Sequence, residues 1–453
     1  MDTRLLKHYE GELSFLRDMG AEFAQSYPKI AARLGMDGVE VADPYVERLL
    51  EGVAFLSARV QLNLELQYPA LTSQLLEIVY PHYLCPSPSM MIAAFEPDME
   101  DGDLADGYLL PRDTELRSTL GEGDQTPCIF KTSSDVTLWP ITITEAEYID
   151  TRGELLAAGI SQDTPARAGI RLRLSRAGNQ PIAKLTLDNL VLFLNAEEGK
   201  NWPLHELLCT QVTGMAARST DRRADWVYDF PDGKVLPCGY DGQEALLPTP
   251  QRSFDGYRLL QEYFAMPERF HFIELQGLSA ALTRAKGHDV DIYILLEQGN
   301  AEIDAGVTPK AFTLNATPAI NLFHKRCDRV HISSSTVEQH IVADRTSPLD
   351  FEIFSLDSIK GISSNGEKDI NFRPFYSSDN LTSAGESHSA YYTQSRKMRQ
   401  RAEKERLKGV RTSYLGSELY VALVDSSQAP YGVNLEQLAI QALVTNRDLP
   451  LLL

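Results

Sequence analysis

His324, Cys327 and His331 are metal-ligating side chains at compact spacing, and imidazole with thiolate is a zinc combination. A fourth ligand is missing at a suitable distance along the chain, and neither HExxH nor paired CxxC patterns occur. Ligand types alone do not make a zinc site, so these three read as side chains on or under a strand surface. His82 and Cys85 read the same way. Asp98, Glu100, Asp101, Asp103 and Asp106 could offer oxygens to calcium. An EF-hand register counted from Asp98, however, puts Leu109 where the bidentate carboxylate belongs. The cluster reads as a solvated loop. Nucleophile elbows (GxSxG), Walker loops and a GxGxxG opening a helix are all absent. The 63 carboxylates include no pair that spacing singles out for acid–base work. The sequence therefore reads as that of a non-enzyme, with no catalytic, cofactor-binding or metal residues and no cofactor.

Composition narrows the class further. A chain of 453 residues with 43% apolar content is long enough for about three domains with a real core. Its formal net charge of −20 argues against nonspecific binding to nucleic acid or to an anionic membrane surface. The one dense basic run, Arg396 to Lys408, is interrupted by Glu403 and Glu405 and has no interleaved aromatics, so it reads as a solvated segment dispensable for folding. No apolar run is long enough to span a bilayer, and the acidic opening residues Asp2, Glu10 and Glu12 leave no room for a secretory leader. Five widely spaced cysteines fit reduced thiols in a cytoplasm better than a disulfide framework.

The elements that must position these residues begin with helices. Leu6, Tyr9, Leu13, Leu16, Gly20 and Phe23 recur at spacings of three and four, which predicts one apolar stripe on a helix broken at Pro28. A short helix from Lys29 to Leu34 follows. Asp43 and Pro44 form an N-cap with proline at the first helical position, and Val46, Leu49, Val53, Leu56 and Val60 supply the next stripe. A further helix is expected over Leu71 to Val79. After the proline-fixed connector Cys85 to Ser89 the period changes from 3.6 to 2. Strands are expected at Met91–Phe95, Ile129–Thr132, Ile141–Tyr148, Ile170–Leu174 and Lys184–Leu187, then beyond Pro231, Pro237, Pro248 and Pro250 at Val290–Leu296, Phe351–Leu356, Glu418–Val424 and Leu438–Val444. Helices are expected at Pro203–Gln211 and Tyr257–Phe264. The fold class expected is α+β. An N-terminal helical module (1–89) leads into a first β-rich domain (90–240) and a second with one packing helix (241–361). A polar, basic segment and a C-terminal β-rich part (362–453) complete the chain.

The run YPKIAARLG with DPYVERLLEGVAFLSARV, followed by LLEIVYPHYLCPSPSM, FDGYRLLQEYFAMPERFHFIEL, LNATPAINLF, FRPFY (Phe372 to Tyr376) and TNRDLP, resembles the TssF (VasA/ImpG) family of type VI secretion baseplate subunits. The residues that carry the resemblance include Tyr27, Pro28, Asp43, Pro44, Arg48, Phe55, Pro81, Pro88, Tyr257, Pro267, Asn321, Phe323, Arg373, Asn446, Arg447 and Asp448. The resemblance implies a structural wedge component that pairs with a second TssF copy and TssG in a shared helical bundle. It further implies TssK and TssE in the wedge, and wedges surrounding the VgrG spike to initiate the contractile tail. The implied location is the cytoplasm, at a baseplate docked to the inner-membrane complex, with no nucleic acid and no membrane insertion. On this reading Leu6, Tyr9, Leu13, Leu16 and Phe23 face partner helices. Chains of that family usually continue beyond TNRDLP, so this one is expected to be short of the family's length. The alternatives are a tail protein of a contractile phage-like particle and, more distantly, a metal-dependent enzyme built on His324 to His331.

Overall fold

A computed structural model describes residues 3–37, 40–41, 43–99, 104, 106–121, 125–160, 164–178, 180–197, 199–220, 226–230, 233–249, 253–333, 336–363, 369–375, 390–400, 411–425 and 435–453. Glu100, Asp101 and Asp103 of the acidic cluster, Tyr376, Pro231, Pro250 and residues 401–408 of the basic run lie outside the described residues. The chain divides into two compact units, Met1–Leu84 and Cys85–Leu453.

The first unit is a helical hairpin. Helix α1 (Thr3–Ser26) stops before Pro28, because the residue preceding a proline is pushed out of the helical region; Tyr27 sits at φ −133°. The short α2 (Pro28–Ala31) restarts with proline at its first position. Gly35 then turns the chain at φ +64°, a left-handed conformation that needs no Cβ. Helix α3 (Pro44–Val79) opens as expected: the Asp43 carboxylate accepts from the Tyr45 amide at 2.9 Å and Pro44 follows. It does not stop for a separate helix at Leu71. The 36 residues run on through Pro69, making a rod of about 54 Å. A proline inside a helix forgoes one backbone bond at a cost of about 3 kcal/mol, and the helix-forming residues on both sides carry the helix across it.

The second unit is built from sheets that are antiparallel except where Ile370–Pro374 runs parallel to Ala390–Met398, which with the hairpin makes the chain α+β. A five-stranded sheet has the order Val227–Asp229, Val212–Ser219, Asp289–Leu296, Ala168–Arg176, Ile141–Ile149. A four-stranded sheet has the order Val235–Pro237, Phe272–Leu275, Leu190–Leu194, Phe312–Thr313. Ile170, Leu172, Leu192, Ile273, Ile292 and Ile294 join in the largest core, contributed by alternate residues of both sheets. Leu155 of helix α4 (Arg152–Ala157) packs with Ala216, Tyr293 and Leu295 in a smaller cluster. Helix α5 (Asn201–Thr210) adds Leu204 and Leu208 to the main core. Strands from either side of residue 240 thus share one sheet, since Asp289–Leu296 lies between Val212–Ser219 and Ala168–Arg176.

Lys184–Leu187 is not a strand. Ile182–Lys184 forms a 3₁₀ turn, and Leu185 and Leu187 are buried without joining a ladder, so their alternation reflects burial and not strand pairing. The last sheet runs Phe323–Arg326, Leu435–Thr445, Glu352–Ser363, Ile370–Pro374, Ala390–Met398, Ser417–Asp425, Glu338–Ile341, with Val330–His331 also on Leu435–Thr445. The start of the basic run belongs to this sheet. Arg396 donates to the carbonyls of Ile353 at 2.7 Å and Phe354 at 2.8 Å, and Lys397 pairs with Glu338. The run is therefore not dispensable as a whole. Among the described residues no helix is long and apolar enough to cross a membrane.

Helix α6 (Asp255–Ala265) is anchored by charge. Glu262 is fully buried and accepts from the amides of Leu246 at 3.1 Å and Leu247 at 2.9 Å, while Arg258 and Arg269, equally buried, pair with its other oxygen. Arg258 also grips Asp255 through two nitrogens at 2.8 and 3.0 Å. Burial first, then the neighbouring Arg258, pull the Arg269 guanidinium down to about 10.

Glu262→Gln removes the carboxylate that two buried guanidinium groups share, leaving Arg258 only Asp255 and Arg269 without its ion-pair partner. It is expected to cost about 3–5 kcal/mol, read as a fall in the urea midpoint. Arg396→Ala leaves two carbonyls short of a donor and is expected to cost about 1–3 kcal/mol by the same measurement.

Candidate partner interface

The hairpin is held by one seam. His8 Nε2 meets Glu65 at 2.7 Å, Ser57 donates to Glu12 at 2.8 Å, and Arg17 meets Glu47 at 3.0 Å, so α1 and α3 run antiparallel. His8 and its neighbours pull the Glu65 carboxyl below its ordinary value, chiefly through that hydrogen bond. Ala54 and Ala58 are fully buried in the seam, where small side chains let the two helices approach.

The seam splits the expected stripe. Tyr9, Leu13 and Leu16 are half-buried, on the same turns of α1 as His8, Glu12 and Arg17, which bond to α3. Leu6 and Phe23 are exposed, as are Phe15 and Met19 on the outer side of α1. The larger uncovered surface belongs to α3. Leu49, Val53, Leu56, Val60 and Leu64, continued by Leu71, Leu75 and Ile78, are between 39 and 70% exposed at spacings that share one helical face. The sequence signal for its second half is present in that spacing, although the expected helix over Leu71 to Val79 reads as separate from the one that opens at Pro44.

The structure places the remaining motif residues at helix ends, in turns and strands, and in hydrogen bonds within the fold. Tyr27, Pro28, Asp43 and Pro44 shape helix ends, Arg48 pairs with Glu51 on the surface, and Phe55 is partly exposed. Pro81 opens a 3₁₀ turn and Pro88 is buried. Asn321 and Asn446 are completely buried and bonded to each other: Asn321 Nδ2 donates to Asn446 Oδ1 at 2.8 Å and Asn446 N donates to Asn321 Oδ1 at 2.6 Å. Both also bond the backbone of Ile129, so the bend after Ala316–Ile320 and the end of Leu435–Thr445 are tied to the strand Ile129–Thr132. Arg447, at φ +54°, donates to the Leu415 carbonyl at 2.7 Å, and Asp448 receives Arg411 at 2.6 Å and Thr412 at 2.6 Å. Hydrogen bonds from Arg411 and Thr412 hold the Asp448 carboxyl below its ordinary value against the opposing effect of burial. Phe323 is a core residue, Arg373 lies in a strand, and Pro267 starts the turn after α6 on which Tyr257 sits.

The metal-ligating side chains are scattered. His324 is exposed and bonds Asp357 at 2.7 Å, whereas Cys327 is buried, and burial pushes its thiol up to about 12. Cys85 donates to the Phe354 carbonyl at 3.0 Å. Among the described residues no three His, Cys, Asp or Glu side chains stand close enough to hold a metal ion.

A second uncovered patch lies on the β-rich unit. Phe254, Tyr257, Leu260 and Phe264 are exposed along α6, and Trp202 of α5 stands 6.0 Å from Tyr263. Behind Trp202 lie His271, its ring 4.4 Å away, and His205, both buried and both held below the ordinary imidazole value by that burial.

A family model described as "Type VI secretion system, TssF" matches residues 1–453. "Type VI secretion system component TssF1" of Pseudomonas aeruginosa PAO1 is 44% identical over 451 residues, covering 100% of this chain and 72% of the relative. A chain in the cryo-electron microscopy structure of the type VI secretion system TssK-TssF-TssG baseplate subcomplex is similar in fold. Its TM-score is 0.64 at 24% identity, over 88% of this chain and 67% of that one.

The buried histidines make stability fall in acid. Because their folded values are depressed, the unfolded chain binds protons first, so their contribution is complete above about pH 6.5 and is lost as pH falls from there through the lower folded values. The urea midpoint is expected to drop between pH 7.5 and 5.5, and His271→Phe is expected to shrink that drop.

Proposed function

The chain belongs to the TssF family of the type VI secretion system, and from that premise we propose that it is a structural wedge subunit of the secretion baseplate. The observation that carries this is the apolar stripe from Leu49 to Ile78, which no other helix of the hairpin covers. Apolar side chains at heptad-like spacing along about 44 Å of helix are the surface of an unfinished bundle, and burying them against partner helices is the gain that drives assembly. TssK and TssG, named with TssF in the similar structure, support the same two partners here; on this reading TssG completes the helical bundle and TssK joins the wedge. A second copy of this chain, TssE and the VgrG spike extend the same reading, as does a cytoplasmic position against the inner-membrane complex.

The function is adhesion and not catalysis. Supporting this, the polar groups in unusual environments, among them Glu262, Arg269, Asn321 and Asn446, are spent on bonds that hold the fold together. In a contractile machine such a subunit supplies interfaces that survive assembly and then rearrange.

The test separates seam from stripe. Leu56→Asp with Val60→Asp places two carboxylates on the exposed face, where they cost the free chain little but would be desolvated in a bundle. Co-purification with TssG is expected to fall by at least tenfold while circular dichroism stays unchanged. Leu16→Asp, half-buried in the hairpin, is expected instead to lower the helical signal itself. Unchanged capture of TssG by the double variant would reject the stripe as the binding face.

A further inference from the structure

Helix α6 is inside out compared with an ordinary surface helix. Arg258 and Glu262, one turn apart, point into the protein, while Tyr257, Leu260 and Phe264, the last 81% exposed, point outward. A core that needed only to be covered would take the apolar face; here the buried ion network holds the helix the other way round. Its outer face joins Phe254 and, through Tyr263, Trp202.

Among the described residues the segments that build this face expose four carboxylates, against one half-buried lysine, Lys200, just before α5. Asp255 opens α6, Glu268 follows it, Glu206 stands one turn beyond Trp202, and Asp241 follows Tyr240, all of them exposed. The two arginines of the same segments, Arg258 and Arg269, are buried against Glu262.

We propose that this face is a second docking surface, distinct from the α3 stripe, which takes an apolar protein segment flanked by lysine or arginine and supplied by another subunit of the baseplate. The proposal rests on the baseplate reading above. Exposed Trp, Tyr and Phe are the side chains that dominate binding energy when a partner excludes water around them. The acidic rim selects the occupant. A second copy would bring Asp255 and Glu268 against their equivalents in a chain of net charge −20, and an anionic bilayer would meet the same repulsion.

The experiment replaces Phe264 with the photo-crosslinking analogue benzoylphenylalanine in the full chain, mixes it with purified TssG and TssK, and irradiates at low and high salt. A crosslink to TssG or TssK at a segment carrying Lys or Arg is expected. Its yield is expected to fall several-fold as salt screens the rim, and again on Glu268→Lys, which leaves the rings intact. A crosslink only to a second copy or within the same chain overturns the proposal, as does one unaffected by Glu268→Lys. Phe264-dependent pelleting with phosphatidylglycerol vesicles, in place of a protein crosslink, also overturns it. If TssG still co-purifies but no crosslink forms, the second surface falls and the baseplate reading stands; if TssG does not co-purify with the unmodified chain, both fall.

Discussion

Two helices packed only on each other can bury one face each, and that constraint governs this chain. Helix α3 carries apolar residues on two faces. One, with Ala54 and Ala58 at its centre, is consumed by α1; the other, from Leu49 to Ile78, has nothing left in the hairpin to cover it. Leaving so many large apolar side chains in water is costly at about 25 cal/mol per Å² of apolar surface, and a monomeric protein would not normally carry such a contiguous patch. On the proposed reading the hairpin is one part of a larger helical core, and its polar clips, such as Glu12 to Ser57 and Arg17 to Glu47, fix the register in which it would be offered.

The β-rich unit solves the opposite problem. It contains several sheets that must be held in one arrangement, and buried polar groups do this where apolar packing would tolerate sliding. Asn321 and Asn446 bond each other and the backbone of Ile129, so the strands that meet there cannot shift register without breaking fully desolvated bonds. Glu352 plays a similar part, accepting from Ser417 at 2.6 Å and from the Tyr414 hydroxyl at 2.8 Å, and burial with that carboxylate nearby raises the Tyr414 pKa. The Glu262 network goes further. By tying α6 down through its charged face, it leaves the aromatic face in solvent.

Much of this was legible along the chain because it depends on local spacing. The N-cap at Asp43 and Pro44, the interruption at Pro28, and the strands at Ile129–Thr132 and Asp289–Leu296 follow from capping chemistry, proline geometry and period, which act over a few residues. The family was legible too, in long motifs such as DPYVERLLEGVAFLSARV and TNRDLP that occur in order. The errors arose where a local rule met a nonlocal balance. The helix expected over Leu71–Val79 reads as a separate piece, but it is the end of one long helix that absorbs the bond lost at Pro69. Lys184–Leu187 alternates like a strand, yet those leucines are buried without a pairing partner.

Sequence alone thus determined which segments are helical or extended and which carry apolar faces, because those properties belong to neighbours in the chain. Only the tertiary structure decided which face of each helix is left over. Leu13 and Leu56 are equally apolar in the sequence; the first is half-buried beside the seam and the second stands in solvent, since a single antiparallel contact can satisfy only one side of each helix. The same holds for α6, which the sequence marked as a helix over Tyr257–Phe264 with no hint that its charged face points inward. That choice was made by Arg269 and the amides of Leu246 and Leu247, groups brought to Glu262 only by the fold.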